Sequence, residues 1–600
     1  MGDWITREID ADRVWRHIRW LTAHAPSRIS GTPDMEQAAS YVYEQLQESF
    51  EELQESGLEV ERCSYQGYTS IPGPASLCVE GSSTWSCPAV SVAFTRPLEN
   101  VTLDLVDMGR GDPIDYHRRD VRGKAVLVDA HGSGTPERAR TAAAQGAAAV
   151  VLATWPAPLP GVITFRAMKG VWGLPGPDSL SGIPEIAAVC VSAGDAQRLR
   201  GLIGQSETGA IAVRISAMAE TGWMPLEEVT ARIAAPGAEP GMEPGAKPGA
   251  ENEDFVLVHG HLDAWCPGVT DNASGNALML ELARALARHR GRLRRSVVLA
   301  FWDGHEIAEA TGSSFFVARN WDLLRDHCMA HVNVDSPGVL GTSRFRADSS
   351  PELRTFQHSV HALPGLLPAS YGSMGRTADQ SFVMAGVPGL LCFPDGDPPA
   401  AGGVERKGEI PFFWWSHTDQ DTLDKFSREA FFAQTRVISH YLDGLLTPAR
   451  WPIDFAPVLA GLRSFVAEAV AVLRGTDLGE SLGQAGESLA EVERLYLQAS
   501  QGGASHRSGR EYNPLLRDMS RTLLPVVGTV SGKYSQDRYG DPRYQLAWPG
   551  LAHLTLLTKT VAGEQEPYLG PAMMERNRLA DALLSVRSRL RCYLQESGCS

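Results

Sequence analysis

Histidine and carboxylate side chains recur at the ends of predicted strands in this 600-residue chain. Singly, each is typical of a strand cap or a turn. Together they form a mixed nitrogen and oxygen ligand set without a thiolate, which suits one or two ions of zinc or a similar divalent metal. Two ions sharing a carboxylate would activate a trapped water for hydrolysis. The candidate ligands are His261, Asp271, Glu306, Asp335 and His417.

The segment 256–290 predicts a buried strand, a polar loop and an amphipathic helix. The apolar run Phe255–Val258 is typical of a strand covered on both faces of a parallel sheet. His261 and Asp263 follow it, and Asp271 stands where a helix N-cap is expected. Open α/β sheets place their sites at the carboxyl ends of strands, so half of a metal site is expected here.

Two further buried strands repeat this arrangement. Val297–Trp302 precedes His305 and Glu306, and Met329–Asp335 ends on its own carboxylate. His417 lies in a polar loop that follows an aromatic run. The fold class predicted is therefore α/β, with a mostly parallel central sheet flanked by helices.

Composition excludes several classes of protein. A formal net charge of −16 argues against a nucleic-acid partner, which needs a clustered basic face. No apolar run is long enough to span a membrane. The first fifteen residues lack the basic flank and apolar stretch of a secretory signal. Nine scattered cysteines without a CxxC pair favour a reducing compartment, so a cytoplasmic location is expected.

Changes of hydrophobic pattern and composition along the chain predict its domains. We expect residues 1–76 and 223–447 to form a catalytic domain, with a β-rich insert at 77–222. The Pro/Gly/Ala/Glu tract 234–253 cannot bury enough apolar surface to fold, and it predicts a flexible loop at a hairpin tip. Helical periodicity dominates 448–600, which predicts a helical domain and a candidate oligomerisation surface.

Three motifs carry a resemblance that covers most of the chain. The segment HLDAWCPGVTDNASGNALMLELAR resembles the metal-binding segment of the co-catalytic zinc aminopeptidase and glutamate carboxypeptidase family, which includes the transferrin receptor. VRGKAVLV, followed by ARTAAAQGAAAVV, is similar to a protease-associated domain inserted in the catalytic domain. GRTADQSFVMAGVP resembles a loop of the family, although Gln380 stands where a histidine is usual.

The resemblance implies a zinc exopeptidase fold and a role for each candidate ligand. His261 and Asp335 would hold one metal, His417 would hold the other, and Asp271 would bridge them. Asp263 would orient His261. The C-terminal helices are similar in position to the family's dimerisation domain, which implies a homodimer. A small peptide or amide is the implied substrate.

The chain departs from the family after the strand at 297–302. Two adjacent glutamates are usual there, the first a general base and the second a ligand. Counted from the strand, His305 replaces the base and Glu306 remains the ligand. When the family's spacing is counted backwards from Gly312, this chain has one residue more than the family, and Glu306 falls on the position of the general base. A histidine is able to act as a base near neutral pH or as a nitrogen ligand.

Three functions follow as alternatives. The expected one is a metal-dependent exopeptidase, with aminopeptidase favoured over carboxypeptidase by family frequency. A non-catalytic binding or scaffold protein on the same fold is the second, and the change at His305 favours it. The third is acyl transfer, cyclisation or hydrolysis of a non-peptide C–N bond. Trp414 and Trp415 would line a substrate pocket or pack in the core, and the sequence leaves both open.

Overall fold

A computed structural model provides the three-dimensional structure of the chain. It describes residues 2–596 with these gaps: 54–56, 82–84, 131–133, 238–253, 375–380, 397–409, 507–508, 539–540 and 562.

The described strands join in one mixed sheet, and the segment that bears the candidate ligands is mostly parallel. The strands are β1 (Leu58–Val79), β2 (Trp85–Cys87), β3 (Val90–Ser91), β4 (Leu98–Asp107), β5 (Ala125–Asp129), β6 (Ala149–Ala153), β7 (Ala187–Val191), β8 (Ile211–Ile233), β9 (Phe255–His261), β10 (Ser296–Trp302), β11 (Cys328–Asn333), β12 (Arg344–Ser349), β13 (Ala369–Ser373) and β14 (Gly389–Asp395). The main path of the sheet runs β13-β12-β14-β11-β9-β10-β8-β4-β5-β6-β7-β3, while β1 pairs with β8 and β2.

Helices pack on the sheet and then form a bundle at the C-terminal end. They are α1 (Asp3–Glu8), α2 (Ala11–His24), α3 (Pro33–Glu51), α4 (Thr135–Ala144), α5 (Pro177–Leu180), α6 (Ala193–Gln205), α7 (Ser274–Arg288), α8 (Thr311–Arg319), α9 (Trp321–His327), α10 (Arg354–His361), α11 (Arg428–Leu446), α12 (Ala456–Val472), α13 (Asp477–His506), α14 (Gly509–Gly528), α15 (Ala552–Lys559) and α16 (Glu566–Glu596).

Three parallel strands, β10, β9 and β11, lie side by side in the centre of the catalytic half. Every residue of these strands is buried, which accounts for their unbroken apolar runs. Trp302 pairs with His261 across β10 and β9, so both strands end at the same edge of the sheet. Leu278, Leu282 and Leu286 of α7 are fully buried in the same core, each contributing roughly 1.5–3 kcal/mol.

Two long antiparallel strands connect the catalytic half to the inserted part. The expected insert boundaries at 77 and 222 both lie inside these strands, β1 and β8. The hairpin expected around 234–253 is wrong, because β10 lies between β8 and β9 in the sheet. Most of that tract, 238–253, lies outside the described residues.

The chain after α11 is helical, as its periodicity predicts. Helices α12 to α16 bury an apolar core that includes Leu482, Leu489, Leu516, Leu583 and Leu590. Among the described residues, no helix has both the length and the apolar composition that crossing a membrane requires.

Candidate metal centre

Two aspartates face His261 at the carboxyl edge of the sheet. The Nε2 atom of His261 lies 3.3 Å from Oδ1 of Asp271 and 3.7 Å from Oδ1 of Asp335. Its Nδ1 atom donates to the main-chain oxygen of Asp263 at 3.0 Å. In the neutral ring, this hydrogen bond leaves the Nε2 lone pair facing the two carboxylates, which is the tautomer that a metal ligand requires.

The other carboxylate oxygen of Asp271 faces a second group. Oδ2 of Asp271 lies 3.5 Å from Nε2 of His417 and accepts a hydrogen bond from Ser416 at 2.9 Å. Oε2 of Glu306 lies 3.0 Å from the same Nε2 atom. Asp271 therefore stands between two groups of candidate ligands, one around His261 and one around His417.

The loop before α7 positions Asp271 through a buried aspartate. The carboxylate of Asp421 accepts from the main-chain N–H groups of Thr270 and Asp271 and from the Thr270 hydroxyl, at 2.7 to 3.1 Å. Asp271 has non-helical backbone angles and α7 begins only at Ser274, so Asp271 is not the N-cap that the sequence suggested. Because Asp421 and His417 share a loop, the same contact draws His417 toward Asp271.

Asp263 acts mainly on the turn after β10. Its carboxylate accepts from the main-chain N–H groups of His305 at 3.2 Å and Glu306 at 2.8 Å, and from the hydroxyl of Ser30 at 3.2 Å. The carboxylate lies 3.6 Å from Nδ1 of His261, so the orientation of that ring is set by the main-chain oxygen of Asp263 instead.

His305 and Glu306 take different places in the site. The Glu306 carboxylate belongs to the ligand cluster, with one ligand atom each of His261, Asp271 and Glu306 within 4.8 Å of one another. The ring of His305 stacks on that of His261, with centroids 4.2 Å apart. His305 also lines the cavity beside the cluster. This arrangement favours the register counted from the strand, with Glu306 as the ligand.

The electrostatics of the cluster suit a cation. Burial alone would lower the pKa of His261, but the surrounding aspartates outweigh it and hold the pKa well above its usual range. Burial also opposes protonation of His417, yet Glu306 and then Asp271 raise its pKa. Burial would raise the pKa of Asp271, but the two histidines hold it well below its usual range. Imidazole nitrogens and carboxylate oxygens without a thiolate fit a zinc ion.

A cavity of about 270 Å³ opens beside the cluster, and the inserted part of the chain forms one of its walls. Thr135 and Arg166 of the insert line it together with Asp271, His305 and other residues of the catalytic half. The Arg166 guanidinium lies 4.2 Å from the centre of the Trp155 ring.

Trp414 and Trp415 support the loop of His417 and are not among the residues that line this cavity. The main-chain oxygen of Trp414 accepts from Nε1 of Trp155 at 2.9 Å. Trp415 is buried and its Nε1 donates to Thr270 at 3.2 Å. Of the two roles that the sequence left open, the structure favours packing.

Sequence reasoning missed the part played by Asp421, Arg166 and Glu309. Asp421 lies four residues after His417, a spacing with no motif attached. Arg166 lines the cavity from a segment without a titratable cluster, and Glu309 lines it from the turn three residues after Glu306. Gln380, in the motif that departs from the family, lies outside the described residues.

Two segments of the chain match known protein families, and one of them contains the ligand cluster. Residues 244–442 match the family described as Peptidase family M28, a stretch that contains every candidate ligand. This stretch, about a third of the chain, is similar to that family. Residues 101–199 match the PA domain, inside the expected insert.

Two relatives match the chain over different lengths. The chain is 30% identical over 187 residues to "Probable glutamate carboxypeptidase LAMP1" of Arabidopsis thaliana, covering 29% of this chain and 25% of that protein. It is 24% identical over 461 residues to "Probable lipoprotein aminopeptidase LpqL" of Mycobacterium tuberculosis, covering 71% of this chain and 83% of that protein. The chain thus spans about a quarter of the Arabidopsis relative.

Three quarters of the chain shares its fold with a solved structure. "Aminopeptidase from Aneurinibacillus sp. strain AM-1" superposes with a TM-score of 0.53 at 22% identity, covering 75% of this chain and 97% of that one. At this identity the likeness establishes the fold, which is the α/β class expected from the sequence.

Proposed function

We propose that this chain is a zinc-dependent exopeptidase, more specifically an aminopeptidase, that hydrolyses peptide or related amide bonds. One observation carries the proposal. Ligand atoms from separate strand ends and loops converge around Asp271, whose two carboxylate oxygens face His261 at 3.3 Å and His417 at 3.5 Å. A carboxylate shared in this way suits a pair of divalent ions.

The residues have distinct roles in this proposal. His261, Asp271 and Asp335 would hold one ion, and Asp271, Glu306 and His417 would hold the other. When bound, zinc supplies Lewis-acid polarisation of the scissile carbonyl and an activated water.

His305 takes the proton of the attacking water and returns it to the leaving amine, a task that suits an imidazole near neutral pH. Its ring lines the cavity and stacks on the ring of His261, 4.2 Å away between centroids. Asp263 holds His305 and Glu306 in place through their main-chain N–H groups.

The preference for the amino terminus has support from the relatives. The Mycobacterium tuberculosis protein, of which the match covers 83%, is named an aminopeptidase. The Arabidopsis thaliana protein named a glutamate carboxypeptidase matches over 25% of its length. The longer match favours removal of amino-terminal residues.

A peptide panel tests the proposal. Peptides with free termini, with an acetylated amino terminus and with an amidated carboxyl terminus are incubated with the protein, and release of free amine is measured. We expect release from free and amidated peptides, loss of release after chelation, and recovery on adding zinc. Cleavage of acetylated but not amidated peptides would instead identify a carboxypeptidase. No cleavage of any peptide by the zinc-loaded protein would refute the exopeptidase assignment.

The histidine at position 305 favours a second candidate. A site that lacks the usual glutamate suits acyl transfer, cyclisation or hydrolysis of a non-peptide C–N bond. Metal binding without peptide hydrolysis, together with turnover of such a substrate, would support it. A protein that binds no metal would support the scaffold alternative.

We also propose a homodimer through the C-terminal helices and a cytoplasmic location. Met573 and Met574 of α16 are 53% and 64% exposed, and contiguous exposed apolar side chains are typical of association surfaces. Every cysteine of the described residues is a free thiol, which suits a reducing compartment. Light scattering after gel filtration tests the dimer: a monomeric mass, or a dimer that persists in a Met573→Lys, Met574→Lys variant, would refute this surface.

A further inference from the structure

A further carboxyl group lines the cavity beside the ligand cluster. Glu309 is only 3% exposed, and it lines the same cavity as Glu306 and His417. Its Oε2 atom has no hydrogen-bond partner among the residues that the structure describes. Burial raises the pKa of Glu309 to about 8, against the opposing effect of Lys169. A buried polar atom without a partner costs free energy, which a ligand that donates a hydrogen bond would recover.

The turn that carries Glu309 is held in an uncommon conformation. Glu309 and Ala310 both have left-handed backbone angles, with φ of 48° and 62°. Lys169 of the inserted part fixes the turn, because its buried ammonium donates to the main-chain oxygen of Ala308 and to the hydroxyl of Thr311. Such conformations persist only where surrounding contacts enforce them, and they concentrate at binding sites.

The cations nearest to Glu309 direct their donors elsewhere. The ammonium of Lys169 donates to Gly173, Ala308 and Thr311, which uses its three hydrogens. The guanidinium of Arg140 pairs with Glu137. These groups act on Glu309 through space, and none of them donates a hydrogen bond to its Oε2 atom.

We propose that Glu309 forms a subsite for a basic group of the substrate, an amine or a guanidinium, next to the metal centre. This inference rests on the proposed function for the reaction, but the binding that it describes does not require turnover. Burial keeps this carboxyl protonated near neutral pH, and a cationic donor would favour its ionised form and satisfy Oε2 with a charge-assisted hydrogen bond, the strongest kind available to a carboxylate. The substrate class is therefore a peptide or amide with a lysine-like or arginine-like side chain.

An acidic substrate is the competing possibility, because Arg166 and Arg346 line the same cavity. Arg346 is already paired with Asp348 at 3.1 Å, and the Arg166 guanidinium stacks over Trp155. The unpartnered Oε2 atom of Glu309 favours a basic substrate group over an acidic one. The experiment separates these two substrate classes.

Calorimetric titration with free L-lysine, L-arginine, L-norleucine and L-glutamate tests the subsite on the full-length zinc-loaded protein. Hydrolysis of lysyl-alanine, alanyl-lysine and their norleucine counterparts is measured in parallel. We expect lysine to bind more tightly than norleucine. Glu309→Gln should lower that ratio of affinities, and the matching ratio of kcat/KM, by about tenfold to a hundredfold.

Glu228→Gln is the matched control. Glu228 is also 3% exposed with an unpartnered Oε2 among the described residues, and its pKa is likewise raised to about 8 by burial, but it is not among the residues that line this cavity. We expect this variant to keep the wild-type ratio.

Three results would overturn the subsite: wild-type protein that does not prefer lysine or arginine to norleucine, tighter binding of glutamate than lysine, or equal ratios in Glu309→Gln and wild type. Selective lysine binding without hydrolysis of any peptide would refute the exopeptidase and leave the subsite standing. Hydrolysis without a lysine preference would refute the subsite and leave the exopeptidase standing.

Discussion

Oε2 of Glu306 lies 3.0 Å from Nε2 of His417, so the second residue of the His305-Glu306 pair supplies the carboxylate of the cluster. His305 is left beside the cluster, stacked on His261 and lining the cavity. The unusual histidine therefore lies next to the cluster, and Glu306 keeps its carboxylate within the cluster.

Replacing His305 by alanine should lower turnover and leave metal bound. Loss of a proton-transferring side chain costs about 10²–10⁴ in rate. Steady-state kinetics with metal analysis by plasma emission measures both effects on one preparation. An unchanged kcat would show that His305 has no catalytic part, and loss of all metal would show that it is a ligand.

Replacing Asp271 by alanine should abolish metal uptake, because its two oxygens face both groups of ligands. Ser416→Ala is the control: it removes only the hydroxyl that donates to Asp271, and it should retain the metal. Metal content after dialysis against zinc gives the answer. A variant that still holds two equivalents contradicts the shared role of Asp271.

Replacing Asp263 by asparagine should weaken metal affinity or activity by about 10- to 100-fold. The change weakens the acceptor that holds the N–H groups of His305 and Glu306. Ser30→Ala removes a single neutral donor to the same carboxylate and should cost far less. Competition with a fluorescent chelator measures the affinity; equal effects of the two variants would argue against this positioning role.

Replacing Glu228 by glutamine should stabilise the protein in alkaline solution. Burial raises the pKa of Glu228 from 4.5 to about 8, so the folded chain keeps a proton that the unfolded chain releases. That group therefore makes the free energy of unfolding fall as the pH rises from about 4.5 to 8.

Glutamine has no such ionisation, so the stability of the variant relative to wild type should rise across that window by at most roughly 5 kcal/mol. Chemical denaturation at pH 5, 7 and 9 measures it. Glu227→Gln, which weakens a partly buried ion pair with Arg62 at 2.7 Å, should show no comparable gain. A pH-independent difference for Glu228→Gln would contradict the argument.

The sequence by itself determined the α/β class, the helical C-terminal region and the candidate ligands. Apolar runs mark buried strands, and polar residues directly after them must lie at the sheet edge, as His261 and Asp335 do. His417 was a candidate from its polar loop, and only its role as a ligand of the second ion followed from the resemblance, since the loop carries no periodic signal.

Only the tertiary structure decided how the parts meet. The choice between His305 and Glu306 as ligand depended on which side chain faces His417, a contact between distant segments that local spacing does not encode. The carboxyl of Glu309 and the wall formed by Arg166 depended likewise on the packing of the insert against the turn after β10. Strand patterns are set by burial along the chain, whereas the cavity is set by contacts between its distant parts.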